Sequence, residues 1–134
     1  MTAEVRYGRE WVVRLPWAKP PASANDRDHW RVKARKVADI RDVACNLMLA
    51  AARRERPTST LPKRITVGLT YVPRDKRRRD PDNLVVPLFK ALVDGIVDSG
   101  LVPDDTPEFV VRSMPQILPP DGDPRLELTI KEIL

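Results

Sequence analysis

The segment Arg77-Arg-Arg-Asp-Pro-Asp-Asn83 sets three cations directly against two carboxylates two residues apart. Asp80 suits a helix N-cap and Pro81 the first helical position, where its missing N–H would be unpaired anyway. Asp82 and Asn83 then fall in the first turn. Two carboxylates at a strand-to-helix junction can converge on one point, and oxygen-only ligands are what Mg²⁺ prefers. An acidic N-cap with a first-turn aspartate also complements the helix dipole without any chemistry attached. From this stretch alone both readings stand.

A second acidic pair, Asp104-Asp105, follows Gly100-Leu-Val-Pro103. A straight helix over residues 81 to 99 would be about 28 Å long and would carry the pair away from Asp80. The pair reaches Asp80 and Asp82 only if the connection folds back or the helix is kinked or short. Pro87 and Gly95 both predict an irregular helix, with the kink in its second turn. Without such a return, Asp104-Asp105 is a turn or cap before Thr106-Pro107. Lys90 is the sole cation between Asp80 and Arg112. It lies about two turns after Asn83, on the same face, with Asp94 one turn further on. It could touch a phosphate, or it could simply pair with Asp94 on a solvated face.

Arg74, Lys76, Arg77, Arg78 and Arg79 make five cations in six residues, abutting the acidic segment. Arg31, Lys33, Arg35 and Lys36 form a second basic patch, led by His29-Trp30. The Trp30 indole is expected in the core, with stacking on a base as the alternative. His29 has no nucleophile partner, which argues against a serine-type triad, and Cys45, in mid-helix, is expected to be a small buried apolar residue.

These groups need elements to position them. Trp11 to Leu15 reads as a strand stopped by Pro16, followed by a proline-rich loop through Asn25. Residues 31 to 54 predict a long helix burying Val37, Ile40, Ala44, Leu47 and Ala51, ended by Arg53-Arg-Glu-Arg-Pro57. Ile65, Val67, Leu69 and Tyr71 alternate with polar or small residues, the period of a half-buried strand. Leu84, Leu88, Leu92 and Ile96 mark a second helix running to about Ser99, capped by Gly100. Phe109 to Met114 and Leu126 to Ile130 predict two further strands. The order β-α-β-α-β-β implies an α+β fold, a mixed sheet of about four strands with two main helices packed on it.

The chain has 134 residues, the size of one domain. No apolar run is long enough to span a membrane, and Met1 to Arg6 lacks the apolar core of a signal peptide. One cysteine and one histidine exclude a disulfide framework and a His- or Cys-rich metal site, and suit a cytoplasmic location. The net charge of +5 conceals a segregation. Residues 1 to 79 hold 20 Lys and Arg against 8 Asp and Glu; residues 80 to 134 hold 4 against 11. A basic surface favours a polyanion partner, although charge alone does not identify one.

Arg77-Arg-Arg-Asp-Pro-Asp-Asn-Leu84, the helix after it, Gly100-Leu-Val-Pro-Asp-Asp105 and Arg125-Leu-Glu-Leu-Thr-Ile130 resemble, in order, the RusA family of Holliday junction resolvases. Leu15-Pro-Trp17, the adjacent prolines and Asn25 are similar to that family's amino-terminal signature. The resemblance covers about residues 11 to 132, and it implies a single RusA-like nuclease domain over 1 to 134. It implies a homodimer that binds four-way junctions or other branched DNA and cuts opposed strands in recombination and repair, with Mg²⁺ or Mn²⁺. The family's catalytic aspartates map onto Asp80, Asp82 and Asp105, with Asp104 as a further metal ligand. At the family's usual lysine position stands Val86; spacing to the Asp-Asp pair instead selects Lys90, in a helix longer by about one turn. Arg74, Lys76, Arg77, Arg78, Arg79, Asn25, Arg31 and Lys33 are the implied DNA contacts. The displaced lysine leaves one alternative, a branched-DNA-binding protein impaired in catalysis; a second is a basic RNA- or other nucleic-acid-binding or protein-binding adaptor without enzymatic activity, whose aspartates are only structural.

Overall fold

The computed structural model describes residues 4–54 and 60–134. The chain is an α+β fold in the order β1 (Tyr7–Arg14), α1 (Trp30–Arg53), β2 (Arg64–Val72), α2 (Lys90–Asp98), β3 (Val110–Arg112), β4 (Gln116–Ile117) and β5 (Arg125–Ile133). The sheet order is β1-β5-β2-β3, with β4 also on β2. β5 is antiparallel to both β1 and β2, whereas β3 and β4 run parallel to β2. A parallel neighbour requires a crossover, and α2 lies within that connection.

The expected four strands are five because one edge is interrupted. Ile65 stands opposite Val110, but Thr70 stands opposite Gln116, so one extra residue enters between β3 and β4. The strand expected over Phe109 to Met114 therefore pairs only at Val110–Arg112. Pro115, with no N–H to give the ladder, sits in the break. β1 and β5 extend beyond their expected bounds, while Leu15 lies just after β1 and donates its N–H to the Leu126 carbonyl at 2.9 Å.

Alternation in the strands and the helical stripes meets in one core. Ile65, Val67, Leu69 and Tyr71 of β2 and Leu126, Leu128 and Ile130 of β5 are buried with Ile40, Ala44 and Met48 of α1. Val37, Leu47 and Ala51 are half-buried against them. α1 ends at Arg53, with Arg54 as its cap; the rest of the expected stop signal, residues 55 to 57, lies outside the described residues, as do residues 1 to 3. Among the described residues no helix is long and apolar enough to cross a membrane.

The helix expected from residue 81 to 99 is not continuous. Pro81–Leu84 form a 3₁₀ turn, Val86 is extended at φ −127° and ψ 130°, the Val86–Pro87 peptide is cis, and regular helix begins at Lys90. Proline disfavours helical geometry in the residue before it, which accounts for the break at Val86. Leu84, Leu88, Leu92 and Ile96 are nevertheless all buried. Gly95 does not make the helix irregular; it lies inside α2 where α1 comes close. A Cβ there would stand 2.3 Å from the Arg41 carbonyl oxygen and 2.7 Å from the Ala44 Cβ. Gly100 follows α2 at φ +84°, the left-handed position for which glycine is suited.

Candidate active site

β2 delivers the chain into a loop whose cations are organised by one acid. Asp75 accepts the Arg77 N–H at 3.1 Å and Arg79 Nη2 at 2.7 Å, and its carbonyl accepts Arg79 Nη1 at 2.9 Å. Arg79 also lies over the Tyr71 ring, 5.7 Å from its centroid. The Arg79 guanidinium holds the Asp75 carboxyl below its usual range, with the Arg77 N–H adding to the effect. Arg79 therefore braces the loop from inside. Arg77 is exposed but pairs with Asp75 at 3.7 Å. Arg74, Lys76 and Arg78 are exposed, and among the described residues none has a carboxylate partner.

Asp80 caps the turn that follows. Its Oδ1 accepts the Asp82 N–H at 2.9 Å and its carbonyl accepts the Asn83 N–H at 3.1 Å. The cap expected from sequence is thus present. Asp80 and Asp82 are exposed, and among the described residues neither carboxylate meets a cation. The Asn83 carbonyl accepts the Ala24 N–H at 3.1 Å, tying the proline-rich loop to this turn. Lys19, Asn25, Arg78, Arg79, Asp80 and Asn83 consequently line one open cleft of about 750 Å³. Asn25 and the basic run, far apart in sequence, are brought together there; Asp82, Lys90, Asp104 and Asp105 do not line it.

Lys90 opens α2 and joins two acids. Its Nζ donates to Asp94 Oδ1 at 2.8 Å and to Asp105 Oδ2 at 3.0 Å. Arg112 Nη2 reaches the same Asp105 oxygen at 3.0 Å. Asp104 Oδ1 accepts the Asp105 N–H at 2.7 Å. The chain after α2 therefore does fold back, reaching the first residue of that helix. Asp94 and then Asp105 raise the Lys90 pKa, and Lys90 lowers that of Asp105, so this ion pair is charged over a wide pH range. Two organising residues, Asp75 and Arg112, were not singled out from the sequence. An acid inside a cation run signalled the first; no period or motif signalled the second, which reaches back from the end of β3 to Asp105, seven residues earlier.

The remaining candidates lie on the amino-terminal side. His29 caps α1, its Nδ1 accepting the Arg31 N–H at 3.2 Å. Trp30 is not in the core: it is 66% exposed, and residues 31 to 35 of α1 are exposed with it, full burial beginning at Ile40. Arg31 and Lys33 are exposed beside it. Cys45 is half-buried rather than fully enclosed.

The carboxylates suit Mg²⁺ in kind, as hard oxygen donors, but not in arrangement. Among the described residues no three His, Cys, Asp or Glu side chains are grouped to hold a metal ion. Asp105 is engaged by Lys90 and Arg112. No protein-family model matches the chain, and a search of curated proteins finds no match either.

Proposed function

We propose that this chain is a structure-selective endodeoxyribonuclease of the RusA type, acting on four-way junctions or related branched DNA and dependent on Mg²⁺ or Mn²⁺. The observation that carries this reading is the cleft in which Arg78, Arg79, Asp80, Asn83, Lys19 and Asn25 converge. Cations that hold a phosphodiester backbone beside exposed, unpaired carboxylates are the parts a nuclease needs. Arg74, Lys76 and Arg78 neutralise phosphates, while Arg79 keeps their loop in shape. On this reading Asp80, Asp82 and Asp105, with Asp104 adjacent, would be the residues that hold the metal, although Asp105 is paired with Lys90 and Arg112 in this structure. Lys90 would contact phosphate. Paired incisions in opposed strands require two such sites, hence a homodimer.

The test is cutting of a labelled four-way junction by the purified chain in Mg²⁺ and in EDTA. Asp82→Asn is expected to abolish nicking and leave junction binding intact. A variant that cuts at the normal rate removes Asp82 from the reaction. Light scattering that finds only a ~15 kDa species counts against the dimer.

The ion-paired Asp105 favours a second reading, a branched-DNA-binding protein without catalysis. Tight junction binding with no Mg²⁺-dependent nicks supports it. A basic adaptor instead predicts equal affinity for junction and linear duplex.

A further inference from the structure

Trp30 is the largest exposed aromatic surface beside the basic face, and the groups around it are of one kind. The Arg31 guanidinium lies over its ring at 5.3 Å, and the His29 ring is 5.6 Å away at a tilt of 33°. Arg27, Arg31, Lys33 and Arg35 are exposed, and among the described residues none pairs with a carboxylate. The two nearby acids, Asp26 and Asp28, share Lys36, which offsets one of their two charges. The indole thus stays largely in water among cations that no carboxylate engages.

A continuous surface connects this corner to the candidate active site. Ser23 lines both the cleft at Asp80 and a smaller apolar groove of about 360 Å³. Val86 and Pro87 line that groove with Lys33, Lys36 and Asp26. Lys33 stands one turn after Trp30, on the same side of α1. A strand whose phosphates lie at Asp80 can therefore continue past Ser23 and Lys33 to the indole.

We propose that Trp30, with Arg31 laid across its ring, is a stacking platform for an unpaired nucleobase of DNA bound in the Asp80 cleft. Every base offers a π face, so an aromatic ring among cations binds it without reading sequence. The positive surroundings exclude an acid-free apolar partner as the best match and complement a phosphate-bearing strand. A fully paired duplex keeps its bases stacked internally and gains little from the platform; a bulge presents an unpaired base, and a branch point interrupts the stack at its crossover.

This inference rests on the DNA-binding reading above, and its test separates the two. The full chain and its Trp30→Ala and Trp30→Phe variants are titrated in EDTA into three DNAs. These are a four-way junction, a perfect duplex and the same duplex with one unpaired 2-aminopurine. Trp30→Ala is expected to bind the bulged duplex roughly tenfold more weakly and to lose the quenching of 2-aminopurine. Its affinity for perfect duplex is expected to stay within about twofold, and Trp30→Phe to retain most of the bulge preference. Equal losses on both duplexes, or no loss on either, overturn the platform while leaving DNA binding standing. So does a dimer that Trp30→Ala converts to monomer by light scattering, which makes the indole a subunit contact. A parent chain that binds none of the three DNAs overturns the DNA reading and the platform together.

Discussion

Lys90 Nζ and Asp105 Oδ2 meet at 3.0 Å, joining the first residue of α2 to the loop that leads into β3. The contact exists because α2 is short: with the helix starting at Lys90, the return chain needs to climb only nine residues to reach its beginning. It also fixes what each partner can do. While Lys90 and Arg112 hold Asp105, that carboxylate has no need of a metal, and Lys90 has no need of a phosphate.

A double-mutant cycle measures that competition. Both side chains are partly exposed, so Lys90→Ala and Asp105→Asn are each expected to change stability by no more than about 1 kcal/mol. If both act in cutting, each single variant slows junction nicking by about 10²–10³-fold. A normal nicking rate in Lys90→Ala would leave Lys90 as a clamp only.

The cationic loop contains two classes of arginine, and salt dependence distinguishes them. Arg78 is exposed with no carboxylate partner, whereas Arg79 is folded onto Asp75 and Tyr71. Arg78→Ala is expected to reduce the slope of log affinity against log salt on duplex DNA by about 0.9, the contribution of one phosphate contact. Asp75→Ala, which adds no contact but removes the brace, is expected to leave affinity at low salt intact and increase proteolytic cutting of the loop. Identical slopes for Arg78→Ala and the parent chain would place Arg78 off the DNA path.

Much of this was legible in the sequence, and the losses have local causes. Alternation at Ile65 to Tyr71 located β2, and the spacing Leu84, Leu88, Leu92, Ile96 located a buried face that survives the break in the helix. The break itself was signalled by Pro87, but its depth was not, since only Val86 in extended geometry turns a kink into a new start at Lys90. The Asp80 cap followed from short-range rules. Trp30 was misjudged because hydrophobicity says that an indole gains from burial, not whether the fold has a surface to offer at that point on α1. Arg112 reaches Asp105 from β3, seven residues further along the chain, a contact that no period or motif marks.

Gly95 tests the helix contact. Alanine in place of glycine in mid-helix is worth about 1 kcal/mol in intrinsic propensity. Here a Cβ would lie 2.3 Å from the Arg41 carbonyl oxygen, a backbone atom that cannot swing aside. Overpacking of this kind costs about 1–3 kcal/mol or more, so the steric term wins. Gly95→Ala is expected to lower the urea midpoint with an unchanged m value; an increase in stability would mean that α1 and α2 separate more easily than their packing implies.

The same helix pair carries a pH-dependent clamp. Arg41 Nη2 reaches Asp98 Oδ1 at 2.7 Å, and a second bond joins Arg41 Nε to Asp98 Oδ2. Hydrogen bonding to Arg41 holds the Asp98 carboxyl below its ordinary 3.8. The unfolded chain therefore takes up this proton at higher pH than the folded one. The stabilisation is complete above the ordinary carboxylate value and is lost as pH falls through the depressed one. Both side chains are partly exposed, which keeps the effect small. Asp98→Asn is expected to melt a few degrees below the parent chain at pH 7, with the gap closing below about pH 4. A gap that persists undiminished to pH 2.5 would show that the asparagine acts through packing rather than through the lost charge.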